Sequence, residues 1–199
     1  MAERQKHGFD YEQHIINKHN LVRRISYSYK WDTYEKYNGI NYPVSIKYVG
    51  LKSSIDFGDF KRQTKVDIDF ILYVGFWSGK KTNLVQEYKI LITKENWSKY
   101  FGNKTIIQEM LNEMKSISNK HSDDNKWSIF TKKYKRLYGN SIISLRFKRD
   151  HKKQKRVQCG ITRTNFIKVI VKNNYIICQE LKNTKMINFT QKHILLLDL

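Results

Sequence analysis

Asp32 and Lys47 are the residues of this sequence whose types and spacing are best suited to chemistry. Metal-assisted hydrolysis of a phosphodiester needs a carboxylate to hold a divalent ion against the phosphate, and a cation near the attacking water. Asp32 ends one predicted strand, Asn38-Gly39 is typical of a hairpin turn, and Ser45-Ile46-Lys47 lies on the next strand. Residues two apart in a strand point the same way, so Ser45 and Lys47 are predicted to share a face beside Asp32.

Four segments resemble parts of the PD-(D/E)XK, or restriction-endonuclease-like, nucleases. KWDTYEKYNGINYPVSIKY resembles the catalytic hairpin of that family, in which an Asp and a turn precede a (D/E)xK tripeptide on the next strand. HGFDYEQHII resembles the first helix of the family, which often presents a glutamate to the metal site. IDFGDFKRQTKVDIDFILYVGFW resembles the strand after the catalytic lysine, and KRDHKKQKRVQCGI resembles a C-terminal segment. The resemblance covers residues 8–92 and, less strongly, 141–172.

The resemblance implies a Mg²⁺-dependent DNA endonuclease in which Mn²⁺ is able to substitute. The residues that it implies for catalysis are Asp32, Lys47, Glu12 and Ser45. The magnesium ligands that it implies are Asp32, Glu12 and Ile46.

The sequence departs from the family pattern at Ser45, where the second acid is expected. A serine is not a strong magnesium ligand. In the family this acid can move to a helix or to a neighbouring strand, so Glu12 is the expected replacement. Asp59 and Glu35 are alternatives, and a protein that has lost the site altogether is the remaining interpretation.

The chain carries 38 Lys and Arg against 18 Asp and Glu, a formal net charge of +20. Such a charge repels itself in a folded domain, so it favours a polyanionic partner: nucleic acid first, a charged membrane surface second. Residues 146–156 alone hold seven Lys and Arg between two predicted strands, and the alternative for this run is a solvated loop. The predicted DNA contacts are Lys61, Arg62, Arg146, Lys148, Arg149, Lys152, Lys153, Gln154, Lys155, Arg156, Gln158 and Arg163.

Other chemistries lack their sequence patterns. Cys159 and Cys178 have no CxxC spacing, and the six histidines have no metal-ligand spacing. There is no GxSxG and no Walker-type glycine loop, and no apolar run reaches the roughly 20 residues of a membrane helix. The sequence therefore predicts a cytoplasmic protein that does not span a membrane.

Hydrophobic periodicity predicts the elements that would position these residues. Helices are expected at 9–20, 93–97, 105–118 and 126–137. Strands are expected at 25–31, 42–49, 70–77, 84–92, 141–147, 156–162, 166–171 and 175–180. This order predicts an α+β fold with a central mixed β-sheet flanked by helices and a C-terminal basic β-hairpin region. We expect one nuclease domain, 1–199, with a catalytic core at 8–92, a helical segment at 93–140 and a strand-rich, basic, DNA-contacting region at 141–199.

The function expected from the resemblance and the charge is that of a type II restriction endonuclease cutting double-stranded DNA at a short specific sequence. Cutting both strands of a symmetric site needs two active centres, so a homodimer is expected. The alternatives are a structure-specific nuclease, such as a junction resolvase or repair enzyme, and a non-catalytic nucleic-acid-binding protein.

Overall fold

A computed structural model describes residues 3–22, 31–79, 83–149, 154–181 and 194–195. The helices are α1 (Glu3–Lys18), α2 (Phe60–Gln63), α3 (Lys94–Lys99), α4 (Lys104–Ser116), α5 (Asp124–Leu137) and α6 (Arg163–Asn165), which continues as a π-helix (Phe166–Val171). The strands are β1 (Thr33–Tyr37), β2 (Ile40–Gly50), β3 (Ile55–Asp59), β4 (Phe70–Trp77), β5 (Leu84–Ile92), β6 (Ser144–Arg149), β7 (Lys155–Ile161), β8 (Tyr175–Leu181) and β9 (Ile194–Leu195). No helix in the described part of the chain is long and apolar enough to cross a membrane.

The strands form two sheets. A six-stranded sheet has the order β1-β2-β4-β5-β8-β9, and a three-stranded sheet has the order β3-β7-β6. Strands β2 and β4 pair in parallel, whereas the other described pairings are antiparallel. The prediction of an α+β fold with a mixed sheet flanked by helices is therefore confirmed.

The hairpin that joins β1 to β2 follows directly from its turn residues. Asn38 and Gly39 both have positive φ, at 48° and 83°. Two successive residues of positive φ give the tight turn whose twist suits antiparallel strands, and Asn-Gly is the pair that adopts it most easily. The turn fixes the register, in which Thr33 faces Val44.

The two faces of the six-stranded sheet have different coverings. On the face that we call the α1 face, Tyr11 and Ile15 pack against Val44, Ile71 and Tyr73. Helix α1 approaches closely because Gly75 has no side chain: a Cβ there would lie 2.5 Å from the Tyr11 ring.

The opposite face, which we call the core face, carries the larger hydrophobic core. Phe70, Leu72 and Val74 of β4 pack there with residues of the three-stranded sheet and of helices α3 to α5. Both faces of β4 are covered, which explains the nearly continuous apolar run of this strand.

Several elements differ from the predicted ones. Strand β1 (Thr33–Tyr37) follows Asp32, whereas the predicted strand 25–31 precedes it. Strand β3 was not expected, because Gly58 and the polar residues around it are typical of a loop. The predicted strand 166–171 is wrong: the segment is helical, since Phe166 and Ile170 bury one helical face. Its run of β-branched residues favoured a strand locally, and burial four residues apart overrides that preference. Most of the predicted strand 25–31 lies outside the described residues.

Candidate active site

The β1–β2 hairpin places Asp32 next to the strand that carries Ser45 and Lys47. Asp32 comes directly before β1, and its main-chain N–H donates to the Val44 carbonyl at 2.9 Å. Its carboxylate atom Oδ2 accepts the main-chain N–H of Ile46 at 2.6 Å. Asp32 is thus held at the residue between Ser45 and Lys47, and all three side chains are half-buried.

Lys47 projects from the core face of the sheet. Its neighbour Ile46 is buried with Val44 on the α1 face, and alternation sends Ser45 and Lys47 to the other side. Within the described chain, no side chain forms an ion pair or a hydrogen bond with Lys47. Its ammonium group is therefore available to an anion that is not part of the protein.

A cation at this hairpin would find a small set of oxygen donors. Asp32 makes one side-chain hydrogen bond, through Oδ2. The N–H and C=O of a strand residue point to the same edge of the strand. Because the Ile46 N–H donates to Asp32, the Ile46 carbonyl also points towards the side of Asp32. This carbonyl oxygen is the atom of Ile46 that could be a metal ligand. Mg²⁺ binds through one or two carboxylates together with waters and substrate phosphates. The donor set fits an ion shared with a phosphate.

Glu12, the expected second acid, is on a helix that covers the other face of the sheet. It is half-buried on α1, whose buried residues pack on the face opposite to Lys47. Within the described ranges, no group of three or more His, Cys, Asp and Glu is arranged to hold a metal. The alternative Asp59 accepts the N–H of Arg62 at 2.8 Å, as the N-cap of α2.

The other alternative, Glu35, belongs to a second polar constellation on the α1 face. Lys89 donates to Glu35 Oε1 at 2.5 Å, and the Tyr73 hydroxyl donates to Glu35 Oε2 at 2.8 Å. Glu87 is held likewise, because Lys18 pairs with Oε1 and the Tyr11 hydroxyl donates to Oε2 at 2.7 Å. We call these six residues the buried ionic cluster. All four of its carboxylate oxygens accept hydrogen bonds.

The environment of the buried ionic cluster alters the acidity of its neighbours. Burial, followed by the charge of Glu87, raises the pKa of Tyr48 to about 12. Burial and the Glu35 carboxylate raise the pKa of Tyr73 well above its ordinary value. Burial, followed by the positive charges of Lys89 and Lys18, lowers the pKa of His19. Tyr73 and His19, whose rings lie 5.1 Å apart, are therefore uncharged at neutral pH.

Sequence reasoning missed that Glu87-Tyr88-Lys89 matches the (D/E)xK tripeptide more closely than Ser45-Ile46-Lys47. The tripeptide alone is a weak signal, because Asp59-Phe60-Lys61 and Glu113-Met114-Lys115 match it too. The signal that could have singled it out is its place inside the apolar strand LVQEYKILI, where an acid and a lysine must be paired.

The predicted DNA contacts divide into free and engaged side chains. Lys61, Arg62, Lys148, Gln154 and Arg156 are exposed. Lys152 and Lys153 lie outside the described residues.

The engaged side chains have protein partners or are buried. Arg146 pairs with Asp56 at 2.7 Å, Lys155 donates to the Lys115 carbonyl at 3.3 Å, and Arg163 donates to Gln86 at 2.8 Å. Gln158 is half-buried, with its Oε1 enclosed. Arg149 differs most from expectation: its side chain is 3% exposed, pairs with Asp124 at 2.7 Å and donates to the Lys120 carbonyl. Arg149 therefore ties β6 to α5.

Comparison with known proteins adds no relative. No protein-family profile, no curated protein and no solved structure matches this chain. The functional assignment therefore depends on the hairpin, the charge distribution and the resemblance of the sequence segments given above.

Proposed function

We propose that the protein is a Mg²⁺-dependent DNA endonuclease of the restriction-endonuclease-like kind, cutting double-stranded DNA at a short specific sequence. One observation supports this most strongly. Asp32 is anchored by the Ile46 N–H at 2.6 Å, beside a lysine that has no protein partner among the described residues. A carboxylate that can hold a metal ion and an uncompensated lysine on one hairpin suit metal-assisted hydrolysis of a phosphodiester.

Each residue of the hairpin has a distinct part in the proposed reaction. Asp32 and the Ile46 carbonyl would hold Mg²⁺, which when bound supplies Lewis-acid activation of the phosphate and of water. Lys47 contributes its positive charge next to the scissile phosphate, where negative charge develops as water attacks. The hydrogen bond from Ile46 keeps the Asp32 carboxylate oriented before the substrate arrives.

The exposed basic side chains support DNA as the substrate. Lys148 and Arg156 are cross-strand partners near the tip of the β6–β7 hairpin, and Gln154 lies beside them. Lysine contacts mainly phosphate, whereas Arg and Gln can pair with the edges of guanine and adenine. A homodimer, working in the cytoplasm, would place two active centres on the two strands of a symmetric site.

The test is an incubation of the protein with a long DNA of known sequence, with Mg²⁺, with Mn²⁺ and with a chelator, followed by sequencing of the ends. We expect cuts at one short sequence that require the metal. The matched variant is Asp32→Asn, because the amide oxygen can still accept the Ile46 N–H while the charge is lost.

The outcomes separate the possible functions. A folded Asp32→Asn protein that binds DNA without cutting it supports the proposal. Ends that map to branched or damaged structures rather than to a sequence indicate a structure-specific nuclease. Intact DNA with wild-type protein, across linear and branched substrates, leaves a DNA-binding protein and overturns the proposal.

A further inference from the structure

A groove lined by lysines lies between α2, α3 and α4. It has a volume of about 390 Å³, and its apolar floor includes Phe101, Ile107 and Leu111. Four lysines line it: Lys61, Lys65, Lys104 and Lys115. We call this feature the lysine groove. None of the described residues that line it is acidic.

Three of the four lysines of the lysine groove have no side-chain partner among the described residues. Within the described ranges, Lys61, Lys104 and Lys115 form no ion pair and no side-chain hydrogen bond. A second basic cavity, beside Trp127, includes Asp124, which already pairs with Arg149 at 2.7 Å. Like charges around one cavity repel each other, so the lysine groove gains most from an anion.

The lysine groove lies on the same side of the six-stranded sheet as Asp32 and Lys47. Ring-to-ring steps of 5.0, 5.1 and 5.2 Å lead from Trp31, the neighbour of Asp32, through Phe70 and Trp97 to Phe101 in the groove. The rings of Trp31 and Phe101 are therefore no farther apart than the length of about five base pairs of B-DNA. This separation is short enough for one DNA duplex to reach both sites.

We propose that the lysine groove binds phosphates of the DNA backbone beside the cleavage site. This inference rests on the proposed function and identifies the surface that holds the flanking DNA. Lysines give point charges without base selectivity, so the groove contributes affinity and register for any sequence. Lys115 also links the lysine groove to the β6–β7 hairpin, because the Lys115 carbonyl accepts a hydrogen bond from the Lys155 side chain at 3.3 Å.

The test compares two triple variants of equal net charge. One replaces the groove residues Lys61, Lys104 and Lys115 by Gln, and the matched control replaces the exposed Lys132, Lys135 and Lys172 by Gln. Binding of a fluorescent duplex is measured with a chelator present, over a range of salt concentrations. We expect the groove variant to bind about tenfold or more weakly, with a salt slope shallower by about 0.9 for each lost contact. The control should change less than twofold.

The proposal is overturned if both triple variants lose affinity equally, or if neither does. Titration calorimetry with deoxyadenosine monophosphate tests a free nucleotide as the other source of phosphate. Groove-dependent binding of the mononucleotide, together with unchanged DNA binding, would show a nucleotide site and also overturn the proposal. Cleavage assays separate this from the proposed function: DNA bound through the groove but never cut contradicts only the nuclease, whereas cutting with unchanged binding contradicts only the groove.

Discussion

On the α1 face of the six-stranded sheet, every carboxylate oxygen of Glu35 and Glu87 accepts a hydrogen bond from a lysine or a tyrosine. On the core face, Asp32 makes one side-chain hydrogen bond, and Lys47 has no partner among the described residues. Both regions combine acids with lysines on strands. In the buried ionic cluster the charges neutralise each other, whereas Asp32 and Lys47 form no ion pair with any described residue.

This difference shows why the closer motif is not the better candidate. Glu87-Tyr88-Lys89 matches the (D/E)xK spacing, but a metal there would have to displace Lys18 or Tyr11 from Glu87. Removing one partner of a buried ion pair leaves an uncompensated charge and is costly, so these pairs oppose displacement by a metal. Lys47 is the better candidate because none of the described residues neutralises its charge.

The largest expected effect is at Lys47. Replacement by Ala removes a positive charge from beside the phosphate and should lower the cleavage rate by about 10²–10³-fold, the usual cost of one electrostatic contact to the transition state. Single-turnover cleavage and DNA binding, measured on the same preparation, check this. Binding should stay within a few fold and the melting temperature should not change.

The control for Lys47 is Lys36→Ala, an exposed lysine on β1 of the same hairpin. Its cleavage rate should match that of the wild type. A Lys47→Ala protein that cuts as fast as Lys36→Ala would remove Lys47 from the reaction. If Lys89→Met then abolished cleavage in a protein that is still folded, the buried ionic cluster would become the candidate centre.

Substitutions in the buried ionic cluster should instead lower the free energy of unfolding. Glu87→Gln removes the Glu87 carboxylate from the buried Lys18 ammonium, and breaking such a pair costs about 3–5 kcal/mol. The side chain of Glu87 is 4% exposed, so water cannot replace the lost partner. Urea unfolding measures the change in the free energy of unfolding.

Two further variants make the stability measurement specific. Glu109→Gln removes a carboxylate from an exposed position of α4 and should change the free energy by less than about 0.5 kcal/mol. Adding Lys18→Met to Glu87→Gln removes the lysine charge that the Glu87 carboxylate balanced and should restore part of the loss. If Glu87→Gln and Glu109→Gln were equally stable, the buried ionic cluster would not hold α1 to the sheet.

Much of the fold could be predicted from periodicity and turn residues. The apolar run of β4 and the Asn38-Gly39 turn each indicate one structure, and both are present. Strand β3 and the π-helix at 166–171 could not be predicted, because each depends on partners distant in the chain. Gly58 of β3 pairs with Cys159 of β7, and Phe166 packs against Phe76 of β4.

The candidate site was predictable in part for the same reason. The hairpin is local, so the Asn38-Gly39 turn and Lys47 on the strand after it can be placed from the sequence alone. The first strand begins after Asp32 instead of ending at it, because β1 is Thr33–Tyr37. The face of the sheet that α1 covers cannot be predicted from neighbouring residues in the sequence, because it depends on Gly75 of β4 leaving room for the ring of Tyr11. The sequence pattern around Glu12 does not contain that information, so its role as a metal ligand stays a prediction.

The smallest expected effect is the pH dependence that His19 gives to the α1 face. Burial and the nearby charges of Lys89 and Lys18 lower its pKa, while Glu35 and Glu87 oppose this less strongly. In the unfolded chain the pKa of His is about 6.5, so below that pH the unfolded state binds more protons than the folded one. The contribution of His19 to stability is therefore fully present above about pH 6.5 and is lost as the pH falls towards its folded pKa.

Replacement of His19 by Gln should make the stability less dependent on pH. The slope of the free energy of unfolding against pH, measured by urea unfolding below about pH 6.5, should be shallower in His19→Gln than in the wild type. Above that pH the two curves should run parallel, which separates the titration from any packing cost of the substitution. Parallel curves over the whole range would mean that His19 does not titrate differently in the folded protein. If the slope is shallower only below about pH 6.5, the folded protein holds the His19 ring in its uncharged form, next to the ring of Tyr73.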